Sequence, residues 1–489
     1  MTIYDSSLRK KTPLEPLNPG EVRIYVCGPT VYDDSHLGHA RSAISFDLLA
    51  RFLELLGHKV TLARNFTDID DKLINKCLEL GRPLEEVAAT YIEGYLADMG
   101  ALGVRRPTFE PRATEFIGAM TEVVSALLAK GLAYSLDNGD VYLEVAKDSR
   151  YGSLSAQVEA GSVMHRVAVE EGKRDPRDFA LWKAYKGSKD IGYESALGRG
   201  RPGWHLECSA MVDSVLAYEG TPYCIDIHAG GYDLFFPHHE NEASQTRGYT
   251  GRELAKYWMH NGFVTVDGEK MSKSLGNSFF VKHALEVYHG EILRNYLIGT
   301  HYRLPLNFNE QDLLASKKRL DRIYRLKRRL DFRPSIEVGA NEKVGAVELG
   351  KLASLLALCE PAFKEGFMGA LKDDLNISLA LSVIEEFIKA TNEKLDSKVK
   401  LDQAAREAIF ANLTLIDLAL GLGRLDSIEY FQLGVAASHR KRIEGLIEKR
   451  AKAKAAKDFK LADSIRAELE AEGIALMDKP GGPTLWEKL

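Results

Sequence analysis

Cysteine is scarce in this chain of 489 residues, and no two cysteines form a C-x-x-C pair. The five cysteines are spread over the whole length, at Cys27, Cys77, Cys208, Cys224 and Cys359. An odd number of widely spaced cysteines argues against a disulfide framework. Metal binding and free thiols are the two interpretations that remain.

Long apolar runs are also absent. No stretch of 18 apolar residues occurs, and the first residues, Met1 to Asp5, contain no basic start followed by an apolar segment. The composition, 45% hydrophobic and 28% charged, is typical of a soluble globular protein, and the length suggests about three domains. We therefore predict a cytoplasmic protein with no membrane partner.

An excess of positive charge is missing as well, because the formal net charge is −5. This balance argues against a uniformly basic surface that coats nucleic acid, and we expect no DNA partner. Any surface that binds RNA must therefore be local.

A strand, loop, helix, strand pattern occupies the first part of the chain. The apolar run Val22 to Cys27 predicts a buried strand, His36 and His39 open a helix, and residues 60–66 resume an extended run. This order predicts the start of a parallel nucleotide-binding sheet. Imidazoles in the first turn of a helix lie beside its unpaired N–H groups, which suits a phosphate that gains charge in a transition state.

A second motif, Lys270-Met271-Ser272-Lys273-Ser274, follows about 230 residues downstream. Its two ammonium groups on a loop suit a leaving pyrophosphate. Taken alone, the upstream motif reads as two loop histidines and the lysine run as a solvated loop. Their order on either side of a βαβ pattern argues against both readings, and the pair resembles the HxGH and KMSKS signatures of the class I aminoacyl-tRNA synthetases.

The resemblance implies roles for the residues of both motifs. The histidines would contact the phosphates of ATP in the transition state and the lysines would stabilise the leaving pyrophosphate, so the expected catalytic residues are His36, His39, Lys270 and Lys273. The expected ATP-binding residues are Thr30, His36, Gly38, His39, Lys270, Met271, Ser272, Lys273 and Ser274.

The rest of the chain predicts an α/β fold in which a Rossmann-like parallel-sheet catalytic domain carries an inserted connective segment and precedes an all-α C-terminal region. The polar, turn-rich interval after Leu132 marks the insertion, and the pattern is helical throughout beyond Asn307. The predicted units are the two catalytic halves 1–131 and 202–306, the insertion 132–201, a basic stem-contact helix and linker 307–345, a helical bundle 346–433, and a basic anticodon-recognition segment 434–489.

A metal site is only weakly indicated by spacing. His238 and Glu242 stand at i and i+4, so their side chains project from one helical face, a pair that is more often a structural hydrogen bond. Cys27 ends the first strand of the predicted sheet and Cys208 lies in a helix after Gly203. Each cysteine taken alone reads as a buried apolar thiol.

Four longer segments resemble the cysteinyl-tRNA synthetase family and favour the metal-site interpretation. They are residues 25–32, 65–72, 203–211 and 236–242. The resemblance continues into Lys457-Asp458-Phe459 and covers nearly the whole chain. It implies one zinc ion, held by Cys27, Cys208, His238 and Glu242. His39 falls where some members of the family carry asparagine.

Zinc suits cysteine as the substrate. The metal takes a thiolate readily and lowers the thiol pKa, whereas the harder oxygen of serine fills that position poorly. Such a site rejects the wrong substrate without an editing domain, so we predict none. Trp204 and His228 are candidate walls of the substrate pocket, with a plain core role left open for Trp204.

The implied activity is ATP-dependent activation of L-cysteine, with Mg²⁺ on ATP, and transfer to the 3′-terminal adenosine of tRNA(Cys) by a monomer. The basic helix after Asn307 is most often a solvated face, but beyond an activation domain it is a candidate track for RNA phosphate. The basic C-terminal end with its Trp486 suits an RNA loop whose bases stack, or else is a charged solubilising helix.

Two alternatives are kept. A ligase of the mycothiol type would transfer activated cysteine to an amino sugar, but such relatives lack the long helical and basic tail found here. A catalytically silent RNA-binding or zinc-binding protein would have lost at least one of His36, His39, Lys270 and Lys273, and all four are present.

Overall fold

The structure, a computed structural model, describes residues 1–155, 172–266, 269–270, 279–332, 343–345, 349–397, 401–478, 482 and 484–488. Within these ranges the strands are, in chain order, β1 Thr2–Asp5, β2 Lys10–Pro13, β3 Glu21–Val26, β4 Lys59–Arg64, β5 Ala133–Ser135, β6 Val141–Leu143, β7 Phe179–Ala184, β8 Gly200–Pro202, β9 Tyr223–Gly231, β10 Glu253–Asn261, β11 Val264–Val266, β12 Glu269–Lys270, β13 Leu306–Phe308, β14 Ile474–Met477 and β15 Leu485–Lys488.

The α-helices of the same ranges are α1 Leu37–Leu55, α2 Asp71–Leu80, α3 Leu84–Ala101, α4 Ile117–Ala129, α5 Trp204–Val215, α6 Glu240–Thr250, α7 Val281–Val287, α8 Gly290–Ile298, α9 Glu310–Leu330, α10 Leu349–Leu358, α11 Pro361–Lys372, α12 Ile377–Asp396, α13 Gln403–Leu420, α14 Ser427–Phe431, α15 Ala437–Ala455 and α16 Phe459–Ala471. A π-helical turn, Phe235–His239, leads directly into α6. No helix in the described part of the chain is both long and apolar enough to cross a membrane.

The central sheet has the strand order β10-β9-β3-β4, and all of its pairs are parallel. Its strands are rich in branched and aromatic residues, and their central residues are buried because helices cover the sheet. The helix α1 follows β3 and packs against the sheet through apolar side chains such as Ile44 and Phe52, both 1% exposed. The predicted Rossmann-like α/β class is confirmed.

The stretch between α4 and α5 forms a separate antiparallel sheet with the order β5-β6-β7-β8. Its first hairpin turns at residues 137–140, as the Asn-Gly signal predicts, and the Leu136 amide donates to the Asp140 carbonyl over 2.9 Å. These strands are three to six residues long, which explains why the interval showed so little periodicity. The domain boundaries themselves stay predictions.

The C-terminal region is helical from α9 to α16 and closes with the antiparallel hairpin of β14 and β15, which the sequence pattern did not predict. The last module of the chain, from α15 to β15, has its own apolar cluster, which includes Ile443, Leu469 and Trp486. Trp486 is 4% exposed and therefore cannot stack on an RNA base, contrary to expectation. The exposed aromatic side chain of the module is Phe459, at 61%.

The arginines of the basic helix α9 pair with acidic side chains of the same chain. Arg328 places both terminal nitrogens 3.0 Å from one Glu487 oxygen, and Arg322 and Arg329 pair with Glu385 and Asp396. These ion pairs join α9 to α12 and to β15. Binding of RNA phosphate along α9 stays a prediction, and it would compete with these carboxylates.

A buried charge cluster ties the catalytic sheet to the helical bundle. Asp47, on α1, accepts hydrogen bonds from Arg51 over 2.8 Å, Arg105 over 3.0 Å and Arg294 over 2.7 Å. Arg294 also donates to the carbonyl of Leu420, at the end of α13. Although burial opposes it, the three guanidinium groups lower the pKa of Asp47 far below its usual value.

Replacing Asp47 by asparagine should therefore destabilise the protein. Arg51 and Arg294 would lose this counter-charge and Arg105 would keep only Glu54, so we expect the free energy of unfolding to fall by about 3–5 kcal/mol in urea denaturation. The matched control is Asp396→Asn, which removes an exposed partner of Arg329 and should cost less than about 1 kcal/mol. Equal effects of the two changes would contradict a joining role for the cluster.

Candidate active site and metal centre

A cleft of about 290 Å³ opens at the carboxyl ends of the parallel strands β3, β4, β9 and β10. This is the edge at which open parallel sheets bind ligands, since the loops that follow the strands converge there. The cleft is lined by residues of the HxGH motif, by one residue of the predicted metal site and by others: Cys27, Gly28, Thr30, Tyr32, His36, Gly38, His39, Arg64, Lys72, Trp204, Asp233, Asn261 and Phe263 are among them.

The HxGH motif forms the first turn of α1. His36 is the N-cap, and its Nδ1 accepts hydrogen bonds from the amides of Gly38 over 3.0 Å and His39 over 3.3 Å. The two imidazole rings stack with their centroids 3.7 Å apart. A Cβ at Gly38 would lie 2.8 Å from His36 Cε1, so the capped turn requires glycine there. The predicted placement of both histidines at a helix start is confirmed.

The lysine motif is described only at its first residue. Lys270 ends the two-residue strand β12, which pairs with β11, rather than lying on a loop as expected. Met271, Ser272, Lys273 and Ser274 lie outside the described residues. The chain is described again from Phe279, whose carbonyl accepts a hydrogen bond from the Leu37 amide over 3.2 Å, so the far end of this segment is attached beside the HxGH turn.

The four predicted metal ligands come together although they lie on three separate segments. The ligand atoms of Cys27, Cys208, His238 and Glu242 are all within 4.8 Å of one another. The two sulfurs are 3.7 Å apart, Cys208 Sγ is 3.7 Å from His238 Nε2, and Cys27 Sγ is 3.6 Å from Glu242 Oε1. The described residues thus contain the predicted ligand set in one buried cluster.

Local structure orients the histidine of this set. His238 belongs to the π-helical turn and Glu242 to α6, so the predicted i, i+4 pair is confirmed with Nε2 and Oε1 2.6 Å apart. The other ring nitrogen of His238 lies 2.8 Å from His205 Nδ1, and the ring stacks on Trp204 at 4.3 Å. Such outer contacts hold a ligating imidazole in one orientation.

Two groups of the cluster, Cys208 and Glu242, are shifted toward their ionised forms. The hydrogen bond from the Cys27 thiol, with help from His238, lowers the pKa of Cys208 to about 6 despite burial. Burial would raise the pKa of Glu242, but His238 and His228 hold this pKa well below its usual value. The pKa of Cys27 is raised by burial and by the neighbouring Cys208. A metal ion would replace the shared protons, because thiolates and neutral imidazole are its ligands.

These donors fit zinc. Two thiolates in a tetrahedral zinc site are about 3.8 Å apart, close to the separation of Cys27 and Cys208. The His238–Glu242 contact is shorter than a tetrahedral edge and would open by about 0.7 Å. A second combination, Cys27 and Glu242 with His228 and His239, also lies within 4.8 Å. The first set fits zinc better because it holds both thiols.

The two predicted pocket residues have different positions. Trp204 is 40% exposed and lines the cleft, as a pocket wall would. His228 is fully buried behind the cleft, stacks on Tyr25, and places Nε2 2.8 Å from Glu242 Oε2. Its role as a wall of the substrate pocket stays a prediction.

Several residues that line the cleft were not singled out from the sequence, among them Arg64, Lys72, Asp233 and Asn261. Arg64 and Asn261 are the last residues of β4 and β10, and Asp233 follows the end of β9. The position of a polar residue at the carboxyl end of a predicted parallel strand is the signal that could have identified them.

Comparison with known proteins agrees with this geometry. Residues 13–318 match the family model described as tRNA synthetases class I (C) catalytic domain, and residues 366–421 match the DALR domain. A solved methionyl-tRNA synthetase from Mycobacterium tuberculosis, in complex with methionyl-adenylate, shares the fold with a TM-score of 0.56 and 16% identity, over 82% of this chain and 92% of that one. The chain belongs to the class I aminoacyl-tRNA synthetases.

Comparison with curated relatives identifies one family within this class. The chain is 56% identical to the cysteine–tRNA ligase of Wolinella succinogenes, over 99% of both chains, and 55% identical to that of Helicobacter pylori strain Shi470, over the full length of both. Within the class I enzymes it therefore belongs to the cysteine–tRNA ligase family.

The turn that follows Cys27, the first predicted metal ligand, should not tolerate a side chain at Gly28. A Cβ there would lie 1.7 Å from the Asn65 carbonyl oxygen. We expect Gly28→Ala to lower the free energy of unfolding by about 1–3 kcal/mol in urea denaturation. Gly445→Ala, on the open face of α15, is the control and should be neutral or stabilising by up to about 1 kcal/mol. A Gly28→Ala protein as stable as the wild type would contradict this prediction and would show that the turn accommodates the added Cβ.

Proposed function

We propose that this chain is an ATP-dependent ligase that activates L-cysteine and transfers it to the 3′-terminal adenosine of tRNA(Cys). The observation that carries the proposal is the convergence of Cys27, Cys208, His238 and Glu242 beside the cleft that the HxGH turn lines. A thiol-selecting site and a nucleotide-binding turn in one cleft suit the activation of a thiol-bearing amino acid.

In the first step a carboxylate oxygen of cysteine attacks the α-phosphorus of ATP, and the bond to pyrophosphate breaks. His36 and His39 meet the phosphates at the start of α1, where the imidazoles can donate to oxygens that gain charge. Lys270 and Lys273, with Mg²⁺ on ATP, would neutralise the leaving pyrophosphate. Lys270 ends β12, which pairs with β11, and the first residue of β11 borders the cleft.

In the second step a hydroxyl of the terminal adenosine attacks the acyl carbon and AMP leaves. Cys27, Cys208, His238 and Glu242 would hold zinc, which supplies a ligand position that prefers a thiolate to a serine hydroxyl. With four protein ligands in place, the thiolate of the substrate would be the fifth ligand, and zinc can be five-coordinate. Around this position, Trp204 covers His238 and the buried histidines exclude water.

The family resemblance also supports a cytoplasmic monomer as the working form. Sedimentation of the purified protein tests the monomer, with a concentration-dependent dimer as the contrary result. Ligation to an amino sugar is the second candidate function, but no observation here favours it, and the DALR match at residues 366–421 is typical of a synthetase.

The substrate is tested by aminoacylation of total tRNA with cysteine, with serine as the control amino acid. We expect attachment of cysteine alone, and its loss after treatment with a zinc chelator, because the selecting ligand position disappears with the metal. Charging with serine would contradict the selection mechanism. Cysteine-dependent pyrophosphate exchange with no transfer to tRNA would favour the amino-sugar ligase.

Replacing Cys208 by serine tests the metal ligand itself. Because the thiolate holds the selecting metal, we expect the KM for cysteine in pyrophosphate exchange to rise by about 10- to 100-fold while the KM for ATP stays nearly unchanged. Cys359→Ser is the matched control, since that thiol is buried in the helical bundle, far along the chain from the predicted ligands, and donates its hydrogen bond to the Leu355 carbonyl. Equal losses for cysteine and ATP would indicate a purely structural thiol.

A further inference from the structure

Arg64 differs from every other buried arginine in the described part of the chain. Seven arginines are buried there, and six of them have their charge compensated within the protein. Those six are Arg51, Arg105 and Arg294 with Asp47, Arg201 with Asp71 and Asp190, Arg450 with Asp478, and Arg41 with three backbone carbonyls.

Arg64 has no such compensation, although it is only 5% exposed. Its Nη2 donates to the Ala43 carbonyl over a long 3.4 Å, and the Tyr95 hydroxyl is another polar group that it meets. Among the described residues, no carboxylate lies within 4.0 Å of its guanidinium. A buried cation without an anion is costly, so a protein keeps one mainly where a ligand supplies the negative charge.

The position of Arg64 identifies that ligand. It ends β4 directly opposite Val26 of β3, and Cys27 is the next residue of that strand end. Its side chain lines the cleft between the metal cluster and the first turns of α1, where Ala43 lies. A cysteine whose thiol is held at the cluster must turn its carboxylate toward the nucleotide, and this path passes the guanidinium.

We propose that Arg64 binds the α-carboxylate of the substrate cysteine and holds it for attack on ATP, an inference that rests on the proposed function. A guanidinium presents a planar fork of donors that matches a carboxylate, and one oxygen can stay bound while the other reacts. Thiol and carboxylate are then recognised by two separate parts of one site, joined by the parallel pairing of β3 with β4.

The test compares cysteine with cysteamine, which has the same thiol and amine but no carboxylate, in calorimetric titrations of the zinc-loaded protein. We expect Arg64→Gln to weaken cysteine binding by about 10- to 100-fold and to leave cysteamine binding unchanged. Arg64→Lys should recover part of the cysteine affinity. Arg82→Gln, on the exposed surface of the chain before α3, is the control and should bind both compounds like the wild type.

Stability separates this role from a structural one. Removing a buried, uncompensated charge should leave the melting temperature of Arg64→Gln equal to or above that of the wild type. A lower melting temperature with equal loss of cysteine and cysteamine binding would overturn the proposal, as would a rise in the KM for ATP with cysteine binding intact. If the wild type shows no cysteine-dependent pyrophosphate exchange, it is the proposed function that fails.

Discussion

The parallel pairing of β3 with β4 and β9 is the constraint on which the site depends. Parallel strands deliver their carboxyl ends to one edge, and this register places Cys27, Arg64 and His228 within a few residues of one another across three strands. The helices α1 and α6 then point their first turns at the same edge. The candidate metal cluster and the HxGH turn meet in one cleft because one sheet positions both of them.

Buried charge has two uses in this protein. Around Asp47, three arginines are paired with Asp47 and the neighbouring Glu54, and these ion pairs join the catalytic sheet to the helical bundle. At the cleft, by contrast, Arg64 is buried and has no carboxylate partner among the described residues. Charges with a structural role are paired inside the protein. A charge that binds a ligand is left unpaired in the free protein, which lowers its stability.

Elements with a strong local signal were predictable. The apolar strands of the central sheet, the helix that begins after His36 and the hairpin at residues 137–140 follow from patterns within about twenty residues. The short strands β14 and β15 were not predictable: each has only four residues, and their apolar side chains, including Trp486, are buried against the helices α15 and α16. The ion pairs of α9 could not be predicted either, since its acidic partners are on α12 and β15.

The class of fold, the two signature motifs and, through resemblance, the four predicted metal ligands could be read from the sequence, because motif identity is written in neighbouring residues. The folded structure was needed to show that the ligand atoms of these four residues lie within 4.8 Å of one another, that His228 is fully buried, and that Arg64 lines the cleft with no carboxylate partner in the described part of the chain. The physical reason is that compensation of a charge is a property of contacts between segments far apart in the chain, and composition and spacing do not encode such contacts.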